Sequence, residues 1–279
     1  MKPVTPPTPR DASAAARAVA SSLGLVVEEV LVLQRSNAVT LRLLPCDVVA
    51  RVAPAADPSA ATQLELGRQL VAAGAPVAGP DPRVEPRVHP RDGFALTFWT
   101  HHAPTAAISP EAYAEALERL HTGLRQVDVR APHATDRVDE ALALVTQPER
   151  TPALDPPGRT LLEQTLRRLR RRVAGAPGEQ LLHGEPHPGN VLGTADGPVF
   201  IDLETCCRGP VEFDLAHAPD EVAGHYPGLD HDLLRDCRTL VLAMITTWRW
   251  DAGDQLPDGR RLGTEWLLQL RLLTARQAG

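Results

Sequence analysis

A chain of 279 residues allows one large domain or two medium ones, and 43% hydrophobic with 23% charged residues is ordinary globular composition. This excludes a collagen, a coiled coil, a small disulfide scaffold and a wholly disordered chain. The formal net charge of −6 argues against a general nucleic-acid binder. Lys2 is the single lysine among 29 basic residues, which rules out a Walker A loop or a Schiff-base lysine inside the fold.

The Pro-rich residues 1–10 read as a mobile tail. Residues 11–22 are Ala-rich and helical, closing near Gly24. Three strand-like runs follow, LVVEEVLVLQ, VTLRLL and DVVARVA, broken at Arg35-Ser36-Asn37 and at Pro45, and they predict an antiparallel meander. Residues 60–73 carry a helical pattern with Leu64, Leu70 and Val71 as core candidates. Gly74 to Asp92 is Pro-rich and reads as loop, and GFALTFW reads as another strand. After Thr100 helical patterns dominate, at 110–124, 136–146, 158–174, 229–249 and 261–276, with a short β-rich insert at 181–203. The fold class is α+β in two lobes: a β-rich lobe over 11–100 and a mainly helical lobe over 101–279. A cleft between two lobes is a common place for a ligand.

Cys46, Cys206, Cys207 and Cys237 show no C-x-x-C spacing, and adjacent Cys206 and Cys207 cannot form an ordinary disulfide. Free thiols in a reducing, cytoplasmic setting are expected. No apolar run approaches the roughly 20 residues of a membrane span, and the N-terminus does not read as a signal peptide.

The chemistry concentrates in LLHGEPHPGNVLGTADGPVFIDLE, residues 181–204. VLG and PVFID form a hairpin around Thr194-Ala195-Asp196-Gly197. A hairpin returns its two ends to one edge, so Asn190 and Asp202 lie side by side, with Glu185 just upstream. A carboxamide and a carboxylate oxygen suit Mg²⁺, which usually takes one or two protein ligands together with substrate phosphates. A nearby carboxylate can orient a hydroxyl nucleophile.

The order carboxylate–x₄–Asn, then a hairpin ending in Asp, matches the phosphotransfer signature of protein kinases. With His183, Gly184, His187, Pro188, Gly189, Asn190, Ile201, Asp202 and Glu204, and with Gly209-Pro210 and Asp214-Leu215-Ala216 beyond, the segment resembles the aminoglycoside phosphotransferase and choline kinase-like family. The resemblance covers roughly residues 24–220. It implies a bilobal protein kinase-like fold and ATP and Mg²⁺ as cofactors. It also implies transfer of the γ-phosphate to a hydroxyl of a small molecule: an antibiotic, an amino alcohol, a sugar or a metabolite. Nucleic acid and membrane are not expected partners, and the protein is expected as a monomer or homodimer.

Carried over by position, Ser36 and Asn37 lie in the loop over the phosphates. Arg51 stands where the family has a phosphate-holding Lys, and Glu65 stands where the partner of that cation sits. Phe98, Trp99 and Thr100 lead into the hinge and offer backbone hydrogen bonds to adenine. Asn190 and Asp202 hold the metal, and Glu185 orients or deprotonates the acceptor hydroxyl. Glu185 departs from the family's Asp by one methylene. Together with Arg51, it keeps open an alternative, a nucleotide-binding pseudokinase or regulatory module with little or no turnover. No A-P-E segment follows Asp202, which argues against a protein kinase.

The spacing of His183 and His187 resembles a zinc pair, but Pro186 breaks any helix between them and the Glu is misplaced for H-E-x-x-H. Arg167, Arg168, Arg170, Arg171 and Arg172 alternate with Leu162, Leu166, Leu169 and Val173, the pattern of an amphipathic helix with a solvated basic face.

Overall fold

In the computed structural model the described residues are 7–278 apart from Asn37 and Ala106. The tail expected over 1–10 thus lies largely outside them. Its last residues are already ordered, because Pro9 and Arg10 open helix α1 (Pro9–Ser22). Pro9 sits in the first turn, where its missing N–H costs nothing, and the Thr8 hydroxyl accepts from the Asp11 amide as the N-cap.

The described chain divides into two compact units, one over 1–129 with 189–204 and one over 130–188 with 205–279. In the first, strands β1 (Val27–Arg35), β2 (Val39–Pro45), β3 (Val48–Pro54), β4 (His89–Arg91) and β5 (Phe94–Thr100) form one antiparallel sheet in the order β1-β2-β3-β5-β4. The expected meander is present, and β4 is an addition to it. The Pro-rich run gave no strand signal because Pro90 cannot donate to a ladder, and an edge strand tolerates that loss.

The period-2 alternation of β2 and β3 sorts their side chains onto two faces. Val39, Leu41, Leu43, Val48, Ala50 and Val52 are buried beneath Ala12, Ala15, Ala16 and Val19 of α1. Small alanines let the helix close onto the sheet. Thr40, Val49 and Arg51 take the opposite face, and the register places Val49 beside Trp99 and Arg51 beside Thr97.

Helices α2 (Ser59–Ala72) and α3 (Pro110–Leu124) and the hairpin β7 (Val191–Thr194)–β8 (Gly197–Phe200) belong to the same unit. The hairpin is fixed through Phe200. The Phe200 amide donates to the Pro76 carbonyl (2.8 Å), its carbonyl accepts from the Ala78 amide (2.9 Å), and its ring meets Tyr113 of α3 edge-on at 6.0 Å.

The second unit holds α4 (Ala134–Val145), α5 (Pro156–Ala174), α6 (Val211–Leu215), α7 (His231–Trp248) and α8 (Gly259–Ala278), with a two-stranded sheet of β6 (Gln180–Leu182) and β9 (Cys207–Gly209). Helix α5 is amphipathic as its pattern predicts. Leu162, Leu166, Leu169 and Val173 are buried to the last atom, while Arg167 pairs with Glu163 and Arg170 with Asp139 on the outer side. Helix α6 spans five residues, too short for a helical period to show in sequence. Cys206, Cys207 and Cys237 are buried free thiols, and burial pushes those of Cys207 and Cys237 up.

Leu166 is fully buried in this helical core. Leu166→Ala is expected to lower the unfolding free energy by about 2–5 kcal/mol, read by urea denaturation.

Candidate active site

The first unit contains a cavity of about 370 Å³ on the Arg51 face of the sheet. Its walls include Gln34 and Ser36 from the end of β1, Arg51 from β3, Gln63 from α2, Trp99, Thr100 and His101 from the end of β5, and Gly189, Ile201, Asp202 and Glu204 from the two ends of the hairpin. Of the residues expected to meet nucleotide or metal, Ser36, Arg51, Trp99, Thr100 and Asp202 line this one space. Asn37 lies outside the described residues.

The hairpin does what its sequence predicts. Its strands pair Val191 with Phe200, and just outside that pair the Ile201 amide donates to the Asn190 carbonyl at 3.0 Å. Asn190 and Asp202 therefore flank the hairpin's base, with Asn190 buried. The second strand stops at Phe200 rather than at Asp202, and Asp202 takes a left-handed backbone conformation with φ 63°. Such a conformation is uncommon without glycine and tends to mark functional turns. One Asp202 carboxylate oxygen also faces the Glu204 amide at 3.4 Å.

Arg51 is held inside the cavity from two directions. One guanidinium nitrogen is 3.4 Å from Asp57 and another pairs closely with Glu204. Burial alone would raise the Asp57 carboxyl. Hydrogen bonds from the Ser59 hydroxyl and amide, and the charge of Arg51, hold it below the usual range instead.

Two expectations need correction. Glu65 does not pair with Arg51. The buried residues of α2 are Ala60, Gln63, Leu64, Leu66, Gly67 and Leu70, and Glu65 lies on the opposite side, turned to solvent. There it takes hydrogen bonds from Arg68 and Gln69, which hold its carboxyl down to about 2. Phe98 shares the sheet face of Ala50 and is buried in the core under α1, so its ring does not line the cavity. Its carbonyl already accepts from the Asp81 amide (3.1 Å), and the Thr100 amide already donates to Gly79 (2.9 Å). The pairing edge that strand end was expected to offer a base is therefore taken by residues 79–81.

Trp99 takes its place in the cavity wall because Gly67 faces it without a side chain. A Cβ at Gly67 would stand 2.8 Å from the indole. The Trp99 indole N–H donates to the Thr97 hydroxyl at 2.8 Å. Sequence reading missed Gln63 as a cavity residue, although its place beside Leu64 and Gly67 on the apolar face of α2 was the available signal.

Glu185 lies in the second unit, in the loop after β6. That loop is built around Asp214, a fully buried carboxylate in the last turn of α6. Its two oxygens accept from consecutive main-chain amides, His183 at 2.9 Å and Gly184 at 2.8 Å. The Thr205 hydroxyl donates to the His183 carbonyl (3.2 Å), and the His187 amide donates to the Glu185 carbonyl (2.8 Å). Gly184 has φ 90°, and a Cβ there would lie 1.9 Å from the Thr205 carbonyl oxygen, so only glycine fits.

The side chain of Glu185 pairs with Arg137 of α4 at 2.7 Å. Sequence reading missed Arg137, which stands 48 positions upstream in no motif. His217 is close enough to feel both charges. Its Nε2 is buried without a hydrogen-bond partner, and burial pushes the imidazole down to about 4.

Two variants test this loop. Gly184→Ala is expected to destabilise the fold by about 3 kcal/mol, measured by urea unfolding, because strain and collision act together. His217 is neutral when folded but takes up a proton below about pH 6.5 once unfolded, so its contribution to stability is lost as pH falls from 6.5 towards 4. His217→Phe is expected to flatten that part of the stability–pH curve, read from unfolding free energies across the range.

The family model of the phosphotransferase enzyme family matches residues 31–236. No curated protein sequence gives a significant match. Among solved structures, the chain resembles an amicoumacin kinase in complex with AMP-PNP, Ca²⁺ and Ami (15% identity, 94% of this chain and 96% of that one, TM-score 0.70). It also resembles a choline/ethanolamine kinase family protein from Mesorhizobium loti (16% identity, 93% and 94%, TM-score 0.67). A GDP complex of an aminoglycoside 2'-phosphotransferase is similar as well (16% identity, 96% and 99%, TM-score 0.67). The fold is protein kinase-like, and the chain belongs to the phosphotransferase enzyme family.

Proposed function

We propose that this phosphotransferase is an ATP- and Mg²⁺-dependent small-molecule kinase, moving the γ-phosphate to an alcohol group of its acceptor. The observation that carries the reading is the hairpin base. Its main chain pairs Asn190 with Ile201, next to Asp202, and Asp202 lines the same cavity as Arg51. The cavity carries a carboxylate and a guanidinium, and the buried carboxamide of Asn190 belongs to the adjoining hairpin base; these groups suit Mg²⁺ and polyphosphate together.

In this reading Arg51 binds the phosphates through its fork, and Asn190 and Asp202 hold the metal. Mg²⁺, when bound, neutralises charge on the transferring phosphoryl group. Trp99 and Thr100 wall the nucleotide cavity, and the main chain beyond Thr100, at His101, is where the base is read. Glu185 accepts a hydrogen bond from the acceptor hydroxyl and aligns it for in-line attack. The buried free thiols suit a cytoplasmic setting.

One observation favours a second reading, a nucleotide-binding module without turnover: Arg51 is already matched by Glu204 and Asp57. ADP release from MgATP, screened over hydroxylated antibiotics, amino alcohols, sugars and metabolites, separates the two. The kinase reading expects acceptor-dependent turnover that Asp202→Ala abolishes. Turnover unchanged in Asp202→Ala overturns the metal assignment, and MgATP binding without turnover over the whole panel selects the module.

A further inference from the structure

Glu185 is the one residue of the loop signature that departs in chemical reach from its family counterpart. Glutamate adds a methylene and one more rotatable bond, so its carboxylate samples more positions than an aspartate's. The loop's main chain is fixed by Asp214, by the Thr205 hydroxyl and by the tight packing at Gly184. What the backbone leaves to be fixed is the end of the Glu185 side chain.

Arg137 meets that end. Its guanidinium nitrogen lies 2.7 Å from a Glu185 carboxylate oxygen, and its own position is set by stacking over the Trp248 ring, 5.1 Å from the centroid. Trp248 is the last residue of α7, and its ring packs against the helical core. The side chains of Arg137 and Glu185 are 22% and 23% exposed, so the pair is largely dehydrated yet open on one side. Arg137 also sits near the N-terminus of α4, behind the His133–Asp136 capping box, where a cation opposes the helix dipole. A residue that breaks a local rule and is matched by one particular carboxylate is the kind of exception found at functional sites.

We propose that Arg137, clamped by Trp248, is the positioning residue that holds the longer Glu185 arm at the place the acceptor hydroxyl occupies. The inference rests on the phosphotransfer reading above. In this assignment Arg137 acts through Glu185. An aspartate at 185 would fall short of the guanidinium, so the clamp and the glutamate form one device.

The test is a double-mutant cycle on MgATP turnover, read as ADP release with the acceptor the screen identifies, or with water where it identifies none. Arg137→Ala is expected to lower kcat about 10²-fold, the scale of a misplacement of about 1 Å, with the KM for MgATP little changed. Arg137→Lys recovers part of that loss. In a Glu185→Asp background Arg137→Ala costs less than about threefold, because the coupled term has already gone. Carboxyl footprinting with a carbodiimide and glycine ethyl ester reads the pair without turnover, and Glu185 labelling is expected to rise several-fold in Arg137→Ala. An unchanged kcat in Arg137→Ala, an equal loss in both backgrounds, or unchanged labelling overturns the assignment. A wild-type protein without MgATP turnover instead overturns the phosphotransfer reading, an outcome distinct from these three.

Discussion

A carboxylate with no exposure to solvent is costly unless hydrogen bonds replace the water it has lost. Asp214 meets that condition by taking two consecutive main-chain amides, those of His183 and Gly184. The constraint is reciprocal. Two adjacent N–H groups can aim at one carboxylate only if the chain turns sharply, and the turn needs the positive φ of Gly184. The turn in turn brings Gly184 hard against the Thr205 carbonyl, which leaves no room for a side chain. The loop that presents Glu185 is thus set by a buried charge elsewhere in its unit, with little freedom of its own.

The other unit solves a related problem at Arg51. A guanidinium in a partly closed cavity needs anionic partners, and here they come from Asp57, just after β3, and from Glu204, just past the hairpin. The helix residue at the family's pairing position, Glu65, is turned away. The cation is therefore tied to the segment that carries Asp202, two residues before Glu204, and the phosphate-holding and metal-holding candidates are mechanically joined. Arg51 suits such a node better than a lysine would, because its planar fork can engage two carboxylates at once.

Much of this was legible in the sequence, and what was legible had a local physical signature. VTLRLL and DVVARVA carry the strand signal of the meander, and their alternation matches the two faces of the sheet, with Arg51 on the side opposite Leu41 and Val52. The Asn190-to-Asp202 hairpin followed from two short strands and a Gly-containing turn. Failures came where the deciding partner is remote or the element is too short. β4 hid in a Pro-rich run, and the five residues of α6 show no period. Family position points Glu65 at Arg51, whereas the helical spacing of Gln63, Leu64 and Gly67 turns it outward. Arg137 carries no motif, and its pairing with Glu185 is a tertiary fact alone.

The charges lining the cavity bear on how a nucleotide could enter it. Arg51 shares that wall with Asp202 and Glu204, so one guanidinium stands there with two carboxylates. A polyphosphate arriving alone would meet a wall whose negative groups outnumber its positive one, in a space where low polarity strengthens repulsion. Arriving with a divalent ion, the same polyphosphate would satisfy Asp202 and could compete with Glu204 for the guanidinium of Arg51. Releasing Glu204 would then cost less, because the phosphate replaces one anionic partner of Arg51 with another. In the proposed function, nucleotide and metal binding would thereby be coupled by charge balance. In the proposed function, the Glu204 pairing would keep the largely buried Arg51 matched until a phosphate took over that role.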